Sequence, residues 1–443
     1  MHDSLKSDRP LDLIPTHPED EAILSDVRTQ PNIPCFLVDA YRQTGPIFRA
    51  WTEGKMWVVM AGPEANQFVW NNTELWNYPV MFPGFLDQMG PDHLNNLEGK
   101  EHTHKRAMLR PGMDRPAVMR HLPGYNHWFG AELERKAGSA PLDLIEFWAN
   151  TITKANTKTV TQVDLSDEEI ERLTTWEDQM LSGLGLGEAR HAYYARSEYL
   201  TLKAEAMALM GRMVDERLAD PTRWNDAYTD VLRARNQQEG GHPERYCLVD
   251  DLYYLLVAGV HNTARWINLI LLQLHFSPEW QNRVRGELEA WDGRDVMAVG
   301  GMASLKAIIM EIQRLRPIVH FTRRNAAQDF EFGGYNVPAG TNILMANSCC
   351  HFLEEFYDDP FSFRPERFLD GGKFAPRTNG FFGGGVHICV GRNFSMLQAP
   401  LAVAGMLKFY EIKYANETEM KLLAEETGRS LPTSVAASFR RRE

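Results

Sequence analysis

One stretch constrains this chain more than any other: Phe382-Gly-Gly-Gly-Val-His-Ile-Cys389-Val-Gly391. Gly383, Gly384 and Gly385 let the backbone approach something flat and large, and Gly391 does the same on the far side. His387 puts a donor two residues before the sulfur. A helical pattern resumes at Arg392, so a helix N-terminus follows Cys389, and its dipole and free N–H groups favour a thiolate. A lone cysteine before a helix is otherwise a small buried hydrophobe in about four chains of five. The residues around Cys389 therefore carry the argument.

The 443-residue chain as a whole limits the scaffold. A hydrophobic fraction of 44% and an aromatic fraction of 11% are ample for a sizeable core and give no sign of disorder. Length alone admits two or three domains. No Gly/Ser-rich linker separates them, so the expectation is one domain over residues 31–443 after an N-terminal extension of residues 1–30. The net charge of −12 disfavours general nucleic-acid binding. The apolar runs near Leu255–Val260 and Ile267–Leu274 are too short to span a bilayer, and the polar N-terminus resembles neither anchor nor signal peptide. Five cysteines in so long a chain make no disulfide framework. A soluble, cytoplasmic protein is expected.

Helical periodicity dominates from Asn126 to about Leu315, as in Tyr199–Leu218 and Leu248–His275. Ile47–Met60 reads as a hairpin around Glu53-Gly54. Phe330–Met345 reads as a second β region turning at Gly333-Gly334 and Pro338–Gly340. A coil from Cys350 to Val386 is long enough to be functional. The fold class expected is mainly α with minor β. Gly183-Leu-Gly-Leu-Gly187 follows no strand and reads as a flexible helix connection. Cys349, Cys350 and His351 read as a strand whose neighbours face opposite ways, which disfavours a metal.

The cysteine stretch resembles the haem-binding loop of the cytochrome P-450 family, Phe-x-x-Gly-x-(His/Arg)-x-Cys-x-Gly, of the soluble bacterial type. Three further motifs stand in the family's order, and the resemblance runs from about Pro34 to Arg440. It implies the family's fold, a triangular prism with haem b between a central helix and the cysteine loop. Cys389 is then the iron's axial ligand, with Phe382, Gly385 and Gly391 shaping the loop.

Glu311-Ile-Gln-Arg314 puts two charges on one helical face. With Arg367 of Pro365-Glu-Arg-Phe368 it resembles the family's Glu-Arg-Arg network, which braces the loop. Losing one partner there would cost roughly 3–5 kcal/mol. By the same resemblance His102, Arg106, Arg324 and His387 contact the haem propionates. Ala258-Gly-Val-His-Asn-Thr263 resembles the helix that crosses the haem, usually (Ala/Gly)-Gly-x-(Asp/Glu)-Thr-(Thr/Ser), with Ala258 and Gly259 leaving room for a ligand. The sequence departs from the pattern at His261, in the acid position as in the sterol-demethylase branch, and at Asn262, where threonine is usual. His261, Asn262 and Thr263 are the residues implied in proton delivery. Two plainer readings stand beside this: a histidine paired with a nearby carboxylate, and an amide bonded to a helix carbonyl or water.

The resemblance places a substrate cavity against Tyr78, Met81, Phe82, Phe85 and Met89, the region Leu181–Tyr194, the central helix with Val257, then Ile318, Val319 and Phe321, and the loop Leu431–Ser434. Apolar walls suit a lipophilic guest such as a terpenoid, steroid, acyl chain or arene; the plain alternative is that several belong to the core. The implied activity is insertion of one oxygen atom from O2, with electrons from NAD(P)H through a separate ferredoxin or flavodoxin and its reductase. Lys105, Arg110 and Arg392 are the candidate docking cations. The altered acid–threonine pair leaves open a peroxide-using or redox-neutral haem-thiolate enzyme (peroxygenase, isomerase or dehydratase), and a ligand-binding haem protein is a third reading.

Overall fold

The computed structural model describes residues 11–15, 32–52, 55–78, 83–241, 243–428 and 431–443. The chain is mostly helical with small sheets, as its periodicity predicts. It forms two compact units, one of Met1–Met81, Ala307–Cys389 and Leu422–Ser430, the other of Phe82–Lys306, Val390–Lys421 and Leu431–Glu443.

The first unit holds most of the β structure. Ile47–Thr52 and Lys55–Ala61 pair antiparallel, with Ile47 opposite Met60; the turn expected at Glu53-Gly54 lies outside the described residues. Lys55–Ala61 runs parallel to Asn342–Ala346, which pairs antiparallel with Thr322–Asn325. The second β region therefore divides. Phe330–Phe332 folds back on Tyr335–Val337 through Gly333 and Gly334, whose φ of 60° and 81° suit a mirror-image hairpin turn, while Asn342–Ala346 joins the four-stranded sheet. Val58, Met60, Trp76, Phe330, Ile343 and Met345 fill the core, and Ile14, from the stretch expected to be an N-terminal extension, packs with them. Cys349–Phe352 is a buried 3-10 helix, not a strand, so the expected alternation of faces does not apply there.

In the second unit, Val260–His275 is buried almost all round and packs on Leu144–Val160 and Arg392–Phe409, as a core helix should. Leu144–Val160 begins where Asp143 accepts the Ile145 N–H at 2.8 Å. Asp167–Leu184 begins with a reciprocal cap between Ser166 and Glu169.

The continuous helix expected over Leu248–His275 is broken. Arg245–Leu256 ends where the Tyr253 carbonyl accepts from both Val257 (3.1 Å) and Ala258 (3.0 Å). Gly259, at φ 76°, precedes the restart of the helix at Val260. Ala258 and Gly259 thus sit in the break, outside the helix. Arg245–His275 is also apolar and long enough to cross a membrane by composition, contrary to expectation, but 78% of its apolar window is buried. Gly183 lies inside its helix, and an added Cβ would meet the Tyr194 ring at 2.4 Å. That glycine serves close packing, not flexibility.

Candidate functional site

The loop that carries Cys389 takes its shape from its glycines. Gly383 and Gly385 hold φ of 68° and 64°, which side chains resist. An added Cβ at Gly384 would lie 2.3 Å from the Trp70 indole, and one at Gly385 would lie 2.5 Å from the Trp70 carbonyl oxygen. The Pro63–Asn71 helix therefore backs the loop directly. The Cys389 N–H donates to the Phe382 carbonyl at 2.9 Å, and the Ile388 N–H to that of Gly385 at 3.2 Å. Cys389 is exposed, whereas Cys247, Cys349 and Cys350 are buried and burial pushes their thiols well up, that of Cys349 to about 12. Those three are inert packing groups.

A buried ionic frame holds the loop. Arg314 grips Glu311 with two bonds, Nε to Oε2 at 2.9 Å and Nη2 to Oε1 at 2.8 Å, and both side chains are fully buried. Glu311 Oε1 also accepts from the Arg364 N–H at 2.9 Å and from Arg367 Nε at 3.3 Å. Arg314 Nη1 donates to the carbonyls of His351 (2.8 Å) and Pro360 (2.6 Å).

His351, set aside at the sequence level, links frame to loop. Its Nδ1–H donates to the Arg314 carbonyl at 3.0 Å, and its Nε2 accepts the Gly380 N–H at 3.2 Å. Gly380 in turn accepts from the Gly383 N–H at 3.0 Å. This bonding requires a neutral imidazole. Burial, and then the Arg314 charge, push the His351 pKa down to about 3.

Arg324 asks for a ligand. It is buried, its Nη1 donates to the Arg323 carbonyl at 2.6 Å, and its guanidinium sits 4.5 Å from the centre of the Tyr78 ring. Its Nε has no hydrogen-bond partner, and no carboxylate among the described residues pairs with it. Desolvation pushes its pKa down, and Tyr78 offsets only part of that. The His387 ring stacks on Tyr78 at 3.5 Å. A buried guanidinium without an anion is unfavourable unless the anion arrives with a ligand. A haem, with carboxylates for Arg324 and iron for the exposed Cys389 sulfur, fits this donor set.

In the second unit, His102 and Arg106 lie one turn apart on Gly99–Met113. Burial, with Arg106 adding, lowers the His102 pKa to about 4 and leaves a neutral hydrogen-bonding group. His261 is buried and hydrogen-bonded through Nδ1 to Glu177, so the paired-carboxylate reading describes its contact. Burial opposes its charge, but the Glu177 bond and charge outweigh that and raise its pKa. Asn262 is exposed and makes no side-chain hydrogen bond among the described residues, to a helix carbonyl or otherwise. Thr263 Oγ1 donates to the Gly259 carbonyl at 3.1 Å and meets Ser395 Oγ at 2.9 Å. Glu177, 84 residues before His261, belongs to no motif and could not be found from spacing.

Of the expected cavity residues, Phe82 and Met81 lie outside the described residues. Phe85, stacked on His93 at 4.6 Å, is buried, as are Met89 and Val257. In the first unit Ile318 and Phe321 are half-buried and Val319 is exposed. Lys105 is not a docking cation. It is buried, with Nζ 2.6 Å from Asp92, 2.8 Å from Asp250 and 2.8 Å from Asp251. These three carboxylates need cations, and the ammonium shares that task with Arg235, which bonds Asp251 and reaches Asp92 at 2.8 Å. Arg110 and Arg392 are exposed.

Residues 23–436 match the family model described as Cytochrome P450. Over 313 residues the chain is 31% identical to "Putative cytochrome P450 137" of Mycobacterium tuberculosis (strain CDC 1551 / Oshkosh), covering 68% of this chain and 62% of that protein. The chain thus spans less than two thirds of that relative's length. Over 339 residues it is 24% identical to "Cyclooctat-9-en-7-ol 5-monooxygenase" of Streptomyces melanosporofaciens, covering 74% of each. Among solved structures, "Retinoic acid bound cyanobacterial CYP120A1" shares the fold with a TM-score of 0.78 at 20% identity, over 93% of this chain and 95% of that one.

Proposed function

The chain belongs to the cytochrome P450 family, and on that footing we propose that it is a haem-thiolate monooxygenase acting on a lipophilic small molecule. Cys389 ligates the iron, and Arg324, His387, His102 and Arg106 receive the propionates. Bound through a thiolate, haem supplies O2 activation and O–O cleavage. The chain's own residues do the rest. The glycine loop lets the backbone close on a flat group, Arg324 and His387 orient it, and His261 holds a proton in the position of the family's acid.

The observation that carries this reading is the exposed Cys389 thiol at the end of a braced glycine loop, in a unit where the buried Arg324 lacks an anion. The name of one relative, a monooxygenase of cyclooctat-9-en-7-ol, supports a lipophilic substrate, as do Phe85, Met89, Ile318 and Phe321. Electrons come from NAD(P)H through a ferredoxin or flavodoxin, with Arg110 and Arg392 as docking cations.

The test is a screen of lipophilic ligands for displacement of iron-bound water in the absorption spectrum, followed by turnover of the hits. Turnover is run with ferredoxin, reductase and NAD(P)H, with peroxide alone, and without reductant. Oxygenated product that requires reductant and O2 is expected. Product without reductant would replace this reading with a redox-neutral one, and product only with peroxide would make the protein a peroxygenase.

A further inference from the structure

The break before the central helix frees backbone groups in a buried place, and their partners decide whether it needs a ligand to persist. In a continuous α-helix the Leu256 carbonyl would accept the Val260 N–H, and the Leu255 carbonyl the Gly259 N–H. Here the Val260 N–H donates to the Val257 carbonyl at 3.1 Å, and the Gly259 N–H to Glu177 Oε1 at 3.3 Å. The Leu256 carbonyl instead accepts from Asn156 Nδ2 at 2.6 Å. A carbonyl can only accept, so the atom facing it is the amide nitrogen.

Asn156 lies on Leu144–Val160, is buried, and is itself held in place. Its Oδ1 accepts from the Tyr125 hydroxyl at 2.8 Å and from Gln398 Nε2 at 3.2 Å. Tyr125 belongs to Arg115–Lys136 and Gln398 to Arg392–Phe409, so side chains from two further helices fix the amide. Leu256 is fully buried, and a buried carbonyl without a partner is unfavourable. The Asn156 amide removes that penalty from the broken form. An added Cβ at Gly259 would meet nothing within 4 Å, so the left-handed residue borders open space.

We infer that Asn156 is the positioning residue of the break: it stands in for the helix donor at Leu256 and keeps the space at Ala258 and Gly259 open before any ligand arrives. This rests on the monooxygenase reading above, in which that space receives the ligand of the iron. Without the Asn156 donor, the Leu256 carbonyl is paired again when the helix straightens onto the Val260 N–H, and straightening closes the space.

Two measurements on the ferrous holoprotein test this, and neither needs turnover. The first is amide hydrogen exchange over residues 256–263 in the wild type, without ligand and with CO bound. Protection should be the same in both states, because the break is already made. Protection that changes on CO binding would show that the ligand induces the break, and would overturn the inference.

The second is CO affinity. Asn156→Leu should lower it about tenfold or more, because only molecules with an open break can bind, and CO should then alter exchange over residues 256–263. Gln398→Leu removes a bond to Asn156 but leaves the donor to Leu256, so its CO affinity should stay close to that of the wild type. Equal losses in the two variants would make the network a packing element and overturn the role given to Asn156, as would wild-type affinity in Asn156→Leu. If Asn156→Leu does not fold, Asn156→Ala, which removes the donor without adding apolar bulk, is read by the same criteria. A wild type that makes no oxygenated product defeats the monooxygenase reading instead, while exchange and CO affinity still decide whether Asn156 holds the break.

Discussion

Arg324 is buried with its Nε unbonded and without a paired anion among the described residues, an arrangement that makes sense only when a ligand completes it. Arg324→Met should leave the apoprotein at least as stable in urea, because a buried unpaired charge is replaced by an apolar chain. Haem retention, followed by transfer to an excess of an apo-globin, should fall about tenfold or more. An apoprotein destabilised by several kcal/mol would instead make Arg324 a structural residue.

His351 gives a pH dependence of definite sign. Its folded pKa of about 3 lies below the unfolded value of about 6.5, so between the two the unfolded chain binds more protons and stability falls as the pH drops. His351→Gln, whose amide can serve both Gly380 and Arg314, should make the urea midpoint less sensitive between pH 7 and 4. An equal slope in both proteins would contradict this. At this scale Cys389, Glu311, Arg314 and Arg367 were legible because fixed spacings announce them. His351 and Glu177 were not, because their partners lie far away in sequence and no spacing encodes the contact.

Among the elements, the break before the central helix is the feature periodicity concealed. The apolar pattern of Leu248–His275 continues through Val257 and Val260, so only Gly259 could have signalled the break. An added Cβ at Gly259 would meet nothing within 4 Å, so any penalty there is purely one of backbone conformation. Gly259→Ala should therefore cost about 1–2 kcal/mol in urea unfolding. A neutral result would mean that the left-handed turn is not required. The strands show the same limit. The Ile47–Met60 hairpin was readable from local alternation, but the parallel pairing of Lys55–Ala61 with Asn342–Ala346 joins segments nearly three hundred residues apart, and local pattern carries no trace of it.

For the whole molecule, the charge balance of −12 conceals two kinds of cation. Lys105, together with Arg235, offsets the charges of Asp92, Asp250 and Asp251 inside the second unit, whereas Arg110 and Arg392 are exposed. Lys105→Met should strand buried carboxylates and cost about 3–5 kcal/mol in chemical denaturation. Arg392→Ala should hardly affect stability but should slow reduction by a ferredoxin at low salt, with the difference fading as ionic strength rises. The reverse pattern would show that the two cations had been assigned to the wrong tasks. The mainly helical class was legible because amphipathic periodicity is local; the division into two units was not, because each is assembled from distant stretches of chain.

The most direct test of the whole account is the absorption spectrum of the haem-loaded protein, reduced and exposed to carbon monoxide, beside that of Cys389→Ser. The wild type should show the red-shifted band of a thiolate-ligated haem, and the variant should lose it while its far-ultraviolet circular dichroism stays the same. A folded, haem-loaded wild type without that band, or a Cys389→Ser protein that keeps it, would contradict the assignment of Cys389 as the iron ligand.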